Sequence, residues 1–313
     1  MNRLTVSPSP HIKSGQATKN IMWAVVLSLI PAGIAGVYIF GIAGLNVIIL
    51  SIVSCVFTEA LFLKFRNKDP KAVLDGSAIL TGLLLAYNLP PDAPFWIPVV
   101  GGLVSIILGN QIFGGLGQNI FNPALVGRAF LQISWPVYMT MWKNPRWWPD
   151  AASGATPLAK EGSAHFTYMD LFLGNRPGCI GEVCVIVLII GAAVLLFTKI
   201  ISLHIPLSFI GTVGIITWVF GKEGFFRGDF LFNILAGGIV LGAFFMATDY
   251  VTSPLTRKGK IIFGIGCGVL TAIIRLRGGY PEGVCYSILF MNAAVPIIDR
   301  FTKVKKYGFV KKD

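Results

Sequence analysis

Ten stretches dominated by apolar residues restrict what this 313-residue chain can fold into. Residues 21–40 carry no charge, and a run of that length crosses a hydrocarbon core of about 30 Å as a helix. Barrel strands alternate apolar and polar residues, and these runs do not, so an outer-membrane barrel is excluded. Hydrophobic residues make up 54% and charged residues 13%, against roughly 25% charged in soluble domains. That balance, with a mean hydropathy of +0.73, excludes a disordered chain, a coiled coil and an ordinary soluble enzyme. The expected fold is an all-α polytopic membrane protein.

The expected spans are 21–40, 45–63, 77–89, 95–113 and 122–135, then 183–199, 205–220, 230–248, 260–274 and 283–298. They form two groups of five around a polar stretch. The expected organisation is an N-terminal tail (1–20), a first five-helix repeat (21–134), an external loop (135–180), a second repeat (181–299) and a basic tail (300–313). No cleavable signal sequence is expected in the polar first 20 residues. The two halves echo each other: Thr81-Gly82-Leu83 and Gly114-Gly115 have counterparts in Leu241-Gly242-Ala243 and Gly278-Gly279. The offset is 160 residues at Gly82/Gly242 and 164 at Gly114/Gly278. Five spans is an odd number, so two copies would insert with opposite topology. Inverted repeats of this kind build transporters and channels around short or broken helices.

Charge placement orients the chain. With the N-terminus in the cytoplasm, 17 of the 26 Lys and Arg lie on inner segments and 8 on outer ones, with Arg128 inside a span. The positive-inside rule then places both termini in the cytoplasm and residues 135–180 outside. The net charge of +12 thus reads as membrane orientation and attraction to anionic lipid, with no nucleic-acid partner expected. Cys179 and Cys184 could pair in an oxidising compartment or stay as thiols. No Walker loop, dinucleotide-binding glycine motif or H-E-x-x-H is present, and His11, His165 and His204 are dispersed. Any redox chemistry therefore needs a cofactor from elsewhere.

Within the external loop runs Asp150-Ala151-Ala152-Ser153-Gly154-Ala155-Thr156. Ser153 and Gly154 permit a tight turn, Ala155 leaves room for a bulky group, and Thr156 presents a hydroxyl. No His or Lys stands beside Thr156 to activate it, so it reads as an acceptor modified by another enzyme; a plain surface turn or helix cap is the alternative. D-x-x-S-G-A-T resembles the flavinylation motif in which a threonine is joined to FMN through a phosphoester. The chain also carries Ser9-Pro10-His11-Ile12, Asp75-Gly76-Ser77-Ala78 with Thr81-Gly82, Phe121-Asn122-Pro123-Ala124 and Met246-Ala247-Thr248-Asp249. On these motifs, over nearly its full length, it resembles the RnfD family, the D component of the Rnf complex, the ion-translocating ferredoxin:NAD oxidoreductase. It is also similar to the B component of the sodium-pumping NADH:quinone reductase, from which the short N-terminal tail sets it apart.

The resemblance implies a membrane subunit of a redox-driven ion pump in a prokaryotic cytoplasmic membrane. It implies FMN bound covalently to Thr156, with Asp150, Ser153, Gly154 and Ala155 forming the acceptor motif. It further implies partner subunits carrying their own FMN and iron–sulfur clusters, a flavin transferase that works outside, and a second, non-covalent flavin, riboflavin or FMN. It implies coupling to Na⁺ or H⁺ without choosing between them. Arg128 could hold a flavin's anionic edge or phosphate, or pair with a buried carboxylate or with carbonyls at a helix break. Asn122 is a further candidate flavin contact. Glu59 and Asp249 could bind a coupling cation or be helix-end carboxylates reaching water. Asp75 is expected to cap the helix after it. Asn110, Gln111, Gln118 and Asn119 could hydrogen-bond a planar ring or join helices. No catalytic residue or metal site is expected within the chain alone. The inverted-repeat reading also resembles urea-channel architecture, so a solute channel without redox role is the competing class, and a scaffold subunit without flavin a third.

Overall fold

Two long helices, α1 (Thr18–Phe40) and α2 (Ile42–Phe65), open the fold; both are apolar around their whole circumference. Such helices face lipid or a protein interior on every side. Leu29 and Ala32 point inward while Leu27, Ile34 and Phe57 stand on the outside, as in a helix with one face in a bundle and one in hydrocarbon. The computed structural model describes residues 18–67, 70–148, 157–158, 166–221, 224–278 and 283–303.

A 3₁₀ turn (Pro70–Asp75) leads into α3 (Ser77–Tyr87), whose N-cap is Gly76; Asp75, expected to cap the helix, stands one residue before that position, and its Oδ1 accepts from Ser77 N at 2.8 Å. Next come α4 (Trp96–Ile106), which runs on into a π-helical turn (Ile107–Gln111), and α5 (Pro123–Ser134). Asn122 caps α5 by accepting from Ala124 N and Leu125 N, and Pro123 supplies the first helical position, where no N–H is needed. Short helices α6 (Pro136–Met139) and α7 (Tyr168–Leu173) lie in the polar stretch. In the second half are α8 (Val185–Phe197), α9 (His204–Val219) and a small hairpin, β1 (Phe220–Gly221) with β2 (Gly224–Phe225). Then follow α10 (Phe230–Leu235), α11 (Ile239–Leu241) with a second π turn (Gly242–Met246), α12 (Arg257–Arg277) and α13 (Val284–Phe301).

A helical segment thus stands at each expected span, and four of them, α1, α2, α12 and α13, are long and apolar enough to cross a membrane. One expectation needs correction: residues 230–248 do not form one helix. The chain breaks at Ala236–Gly238, where Gly237 takes φ +70°, a conformation that residues with a Cβ rarely adopt. The polar stretch 135–180 is not wholly a surface loop either. Ile180 and Gly181 donate their N–H groups to Leu89 O and Tyr87 O, which packs this strand of chain against the end of α3.

The packing partners repeat between the halves. α2 lies against α4 and α4 against α5; α9 lies against α12 and α12 against α13. Across the halves α1 meets α8 and α5 meets α13. Close contact rests on small residues, as is general between membrane helices. At Gly82 a Cβ would come within 2.7 Å of Ile52 Cα on α2, so the Thr81-Gly82 motif is where α3 touches α2 backbone to backbone.

Candidate functional site

A cavity lies between the halves. Both π turns reach it: Asn110 comes from the first, Phe244 and Phe245 from the second. Single π turns displace side chains from the ordinary helical register and recur at functional sites. Most of the wall is apolar, from α1, α3 and the end of α8, with polar groups at Ser77, Thr81, Asn119, Asn122 and Asp249. A largely apolar chamber with a few placed polar groups is the usual form of a small-molecule site. Buried Asn110 Oδ1 has no hydrogen-bond donor among the described residues, an acceptor suited to a ligand N–H.

Hydrogen bonds run from the cavity toward the opposite end. Asn122 Nδ2 donates to Met246 O at 3.2 Å, and Asn122 N donates to Asn292 Oδ1 at 3.4 Å. Asn292 Nδ2 in turn donates to Thr252 O at 2.7 Å. Asn88 Nδ2 donates to Leu84 O at 2.7 Å and meets Met246 Sδ at 3.6 Å, while Asn88 Oδ1 accepts from Arg128 Nη1 at 2.6 Å. Asn122 therefore belongs to the cavity and to the joint between the halves, and Arg128 does not line the cavity.

Arg128 belongs to a second cluster. It is 3% exposed, Arg176 1%, Arg275 8% and Glu182 4%. Glu182 is an electrostatic partner of all three arginines. Arg176 Nη2 donates to Glu182 O at 2.8 Å, and Cys179 N donates to Glu182 Oε1 at 3.2 Å. Arg275 Nη1 and Nη2 donate to Asn233 O and Ala236 O at 2.5 and 3.1 Å, tying α12 to the broken end of α10. All five cysteines are free, so Cys179 and Cys184 form no disulfide.

The other expected residues fall as follows. Asp249 borders the cavity and accepts from Thr252 Oγ1 at 3.1 Å and from Val251 N at 3.5 Å. Glu59 is buried on α2 and accepts from Gln111 Nε2 at 3.4 Å, with Ser77 and Asp75 beside it. Gln118 is exposed. Asp150, Ser153, Gly154, Ala155 and Thr156 lie outside the described residues. Just past them, Pro157 is buried and Leu158 half-buried. Farther along, Thr167 and Asp170 cap α7 reciprocally. The Thr167 hydroxyl and Asn175 amide hold the Asp170 carboxyl below the usual carboxylate range. That contribution is present above the ordinary carboxylate pKa and is lost as pH falls through the lowered one.

Sequence reasoning missed the cavity and the Arg176–Glu182–Arg275 grouping. Arg176 and Arg275 count as outer charges, and nothing in their spacing says they meet. The Gly237-Gly238 doublet is the available signal, because a Cβ at Gly237 would sit 2.9 Å from Arg275 Nη2 and one at Gly238 3.0 Å from Glu182 Oε2.

The family described as "NQR2, RnfD, RnfE family" matches residues 5–308. The D component of a proton-translocating ferredoxin:NAD(+) oxidoreductase complex from Clostridium ljungdahlii is 50% identical, covering 98% of this chain and 97% of the relative. Its Na(+)-translocating counterpart from Acetobacterium woodii is 47% identical over 98% of this chain and 96% of the relative. The D component of an ion-translocating oxidoreductase complex from Stutzerimonas stutzeri is 38% identical over 92% and 91%. By the extent of the family match and by these identities, the chain belongs to the NQR2, RnfD, RnfE family.

Proposed function

We propose that the chain is a membrane subunit of an ion-translocating ferredoxin:NAD oxidoreductase complex, and that it passes electrons through FMN joined by a phosphoester to Thr156. The observation that carries this reading is full-length likeness to the D components of two such complexes in a chain that holds D-x-x-S-G-A-T at Asp150–Thr156. Its partners are the other subunits of the complex, including one with its own FMN and others with iron–sulfur clusters, and a flavin transferase acting outside. The flavin supplies the redox chemistry; the protein holds it, tunes it and excludes side reactions.

Ten membrane crossings in two inverted repeats of five, a urea-channel-like arrangement, suit this role. Two contacts support the duplication. Cys285 Sγ donates to Leu125 O at 3.5 Å across 160 residues, the same offset as Gly82/Gly242. A Cβ on Gly191 would press on Ser28 O at a nearly equal offset. Residues that touch their own counterparts lie beside a two-fold axis. The orientation has both termini in the cytoplasm and the Thr156 loop outside. Trp96, Trp135 and Tyr138 pack edge to face at the end that charge counting places outside, as in an interfacial aromatic belt. A single cysteine at Gly162 in a cysteine-free variant should react with an impermeant thiol reagent in intact cells. Labelling only after permeabilisation would reverse this topology.

The cavity suits a second, non-covalent flavin, riboflavin or FMN. Its wall is mostly apolar, Phe244 and Phe245 offer flat surface, and Asn110 Oδ1 offers an acceptor. Denatured wild-type protein should release an unattached flavin in addition to the one that stays on the chain. Asn110→Leu should cut the released fraction about tenfold, the effect of about 1.4 kcal/mol in binding, with the attached flavin unchanged. Equal release from both proteins would remove the cavity as its site. Buried Glu59 and half-buried Asp249, near the cavity wall, could receive a coupling ion. Relatives of almost equal identity are named for protons and for Na⁺, so likeness does not select the ion.

A further inference from the structure

Each of the two π turns that reach the cavity is held at its last residue. Met246 closes the second turn; its carbonyl accepts from Asn122 Nδ2 and its sulfur meets Asn88 Nδ2. Gln111 closes the first and is held at two atoms. Its carbonyl accepts from Arg66 Nη2 at 2.9 Å, and its Nε2 donates to Glu59 Oε1 at 3.4 Å. Both of these partners come from the final turns of α2 and its C-cap. Ser77, beside Glu59, also lines the cavity, which puts Glu59 behind the cavity wall. Glu59 and Gln111 are 4% and 3% exposed, so little water competes for their hydrogen bond. On its other side the turn lies on the start of α5: a Cβ at Gly109 would stand 2.7 Å from Pro123 Cα.

Asn110 and Gln111 are consecutive in this turn. Asn110 lines the cavity, and Gln111 reaches back to α2. Successive helical residues point about 100° apart. Relaxation of the π turn to the ordinary α register would therefore swing Asn110 off the wall by about that angle. A carboxylate only accepts hydrogen bonds, so it fixes which end of the Gln111 amide faces α2; a carboxamide at position 59 would not. We propose that Glu59 and Arg66 are positioning residues: through Gln111 they hold the π turn in the register that presents Asn110 Oδ1 to the cavity ligand. The proposal rests on the reading of the cavity as the site of a non-covalent flavin.

The test is a double-mutant cycle on riboflavin affinity. The probe is radiolabelled riboflavin in equilibrium dialysis against the purified complex stripped of unattached flavin, with subunit composition verified for every variant. Asn110→Leu should raise the Kd about tenfold, and Gln111→Leu and Glu59→Gln about fivefold each. In the Asn110→Leu background neither second substitution should weaken binding further, because the acceptor they position is gone. Loosened packing alone would multiply the losses, to about fiftyfold in each double variant. Should Gln111→Leu fail to assemble, Glu59→Gln, which keeps the side-chain shape, is read in its place. Wild-type affinity in Gln111→Leu and Glu59→Gln, or losses that multiply, would overturn the anchor while sparing the cavity as the flavin site. No binding by the wild-type complex, or Asn110→Leu binding like wild type, would overturn both.

Discussion

Thr156→Val is expected to abolish the covalent flavin while leaving the chain folded and inserted. Valine keeps the branched shape of threonine and removes the one oxygen that can carry a phosphoester at the acceptor position. Ser153 also has a hydroxyl but stands three residues earlier, at the turn. On a denaturing gel the wild-type band should fluoresce under ultraviolet light and the variant band should be dark. Thr156→Ser should keep part of the label, since it restores the oxygen without the methyl group. Both proteins must be made with the flavin transferase present. Electron transfer through the complex should fall to background in Thr156→Val, because it loses the carrier itself. A fluorescent Thr156→Val band would place the flavin on another residue.

Arg128→Leu is expected to have the next largest effect. The guanidinium is 3% exposed, donates to Asn88 Oδ1 at 2.6 Å and faces Glu182. Leucine leaves that carbonyl oxygen without this donor and the carboxylate short of one cation. Breaking a buried charge network from one side costs about 3–5 kcal/mol. The variant complex should melt at lower temperature and transfer electrons at least about tenfold more slowly, a barrier change of about 1.4 kcal/mol. Arg128→Lys keeps the charge without the planar fork and should recover part of the rate but little of the stability. Wild-type turnover by a fully assembled Arg128→Leu complex would mean that Arg128 only fills space.

Much of this was legible in the residues. Apolar run length located a helical segment at each expected span, but not α6 and α7 in the polar stretch, because membrane helices need about the same number of residues wherever they occur. Asn122-Pro123 announced the start of α5, because capping is a local property, whereas Asp75 missed the cap of α3 by one residue, since Gly76 takes that place. The break in the eighth segment was hidden, since 230–248 is apolar throughout and hydropathy does not sense the φ that Gly237 adopts. The cavity was hidden for a different reason. Asn110 and Phe244 lie 134 positions apart, and only the packing of one half on the other, with a π turn in each, puts them on one wall. Arg176 and Arg275 likewise counted as outer-segment charges. Their burial follows from residues 180–181 pairing with the end of α3 and from Arg275 capping the carbonyls of α10, which are tertiary events with no local sequence signal. The acceptor motif shows the reverse case: Asp150–Thr156 is legible in sequence alone and lies outside the described residues.

The most direct test of the central claim is the intact mass of the wild-type chain, purified from cells that also make the flavin transferase. The expected spectrum has a main species heavier than the 313-residue chain by one FMN less one water, with fragmentation placing the addition on Thr156. A main species at the mass of the unmodified chain, with the transferase shown to be active on another substrate, would contradict the electron-carrier account.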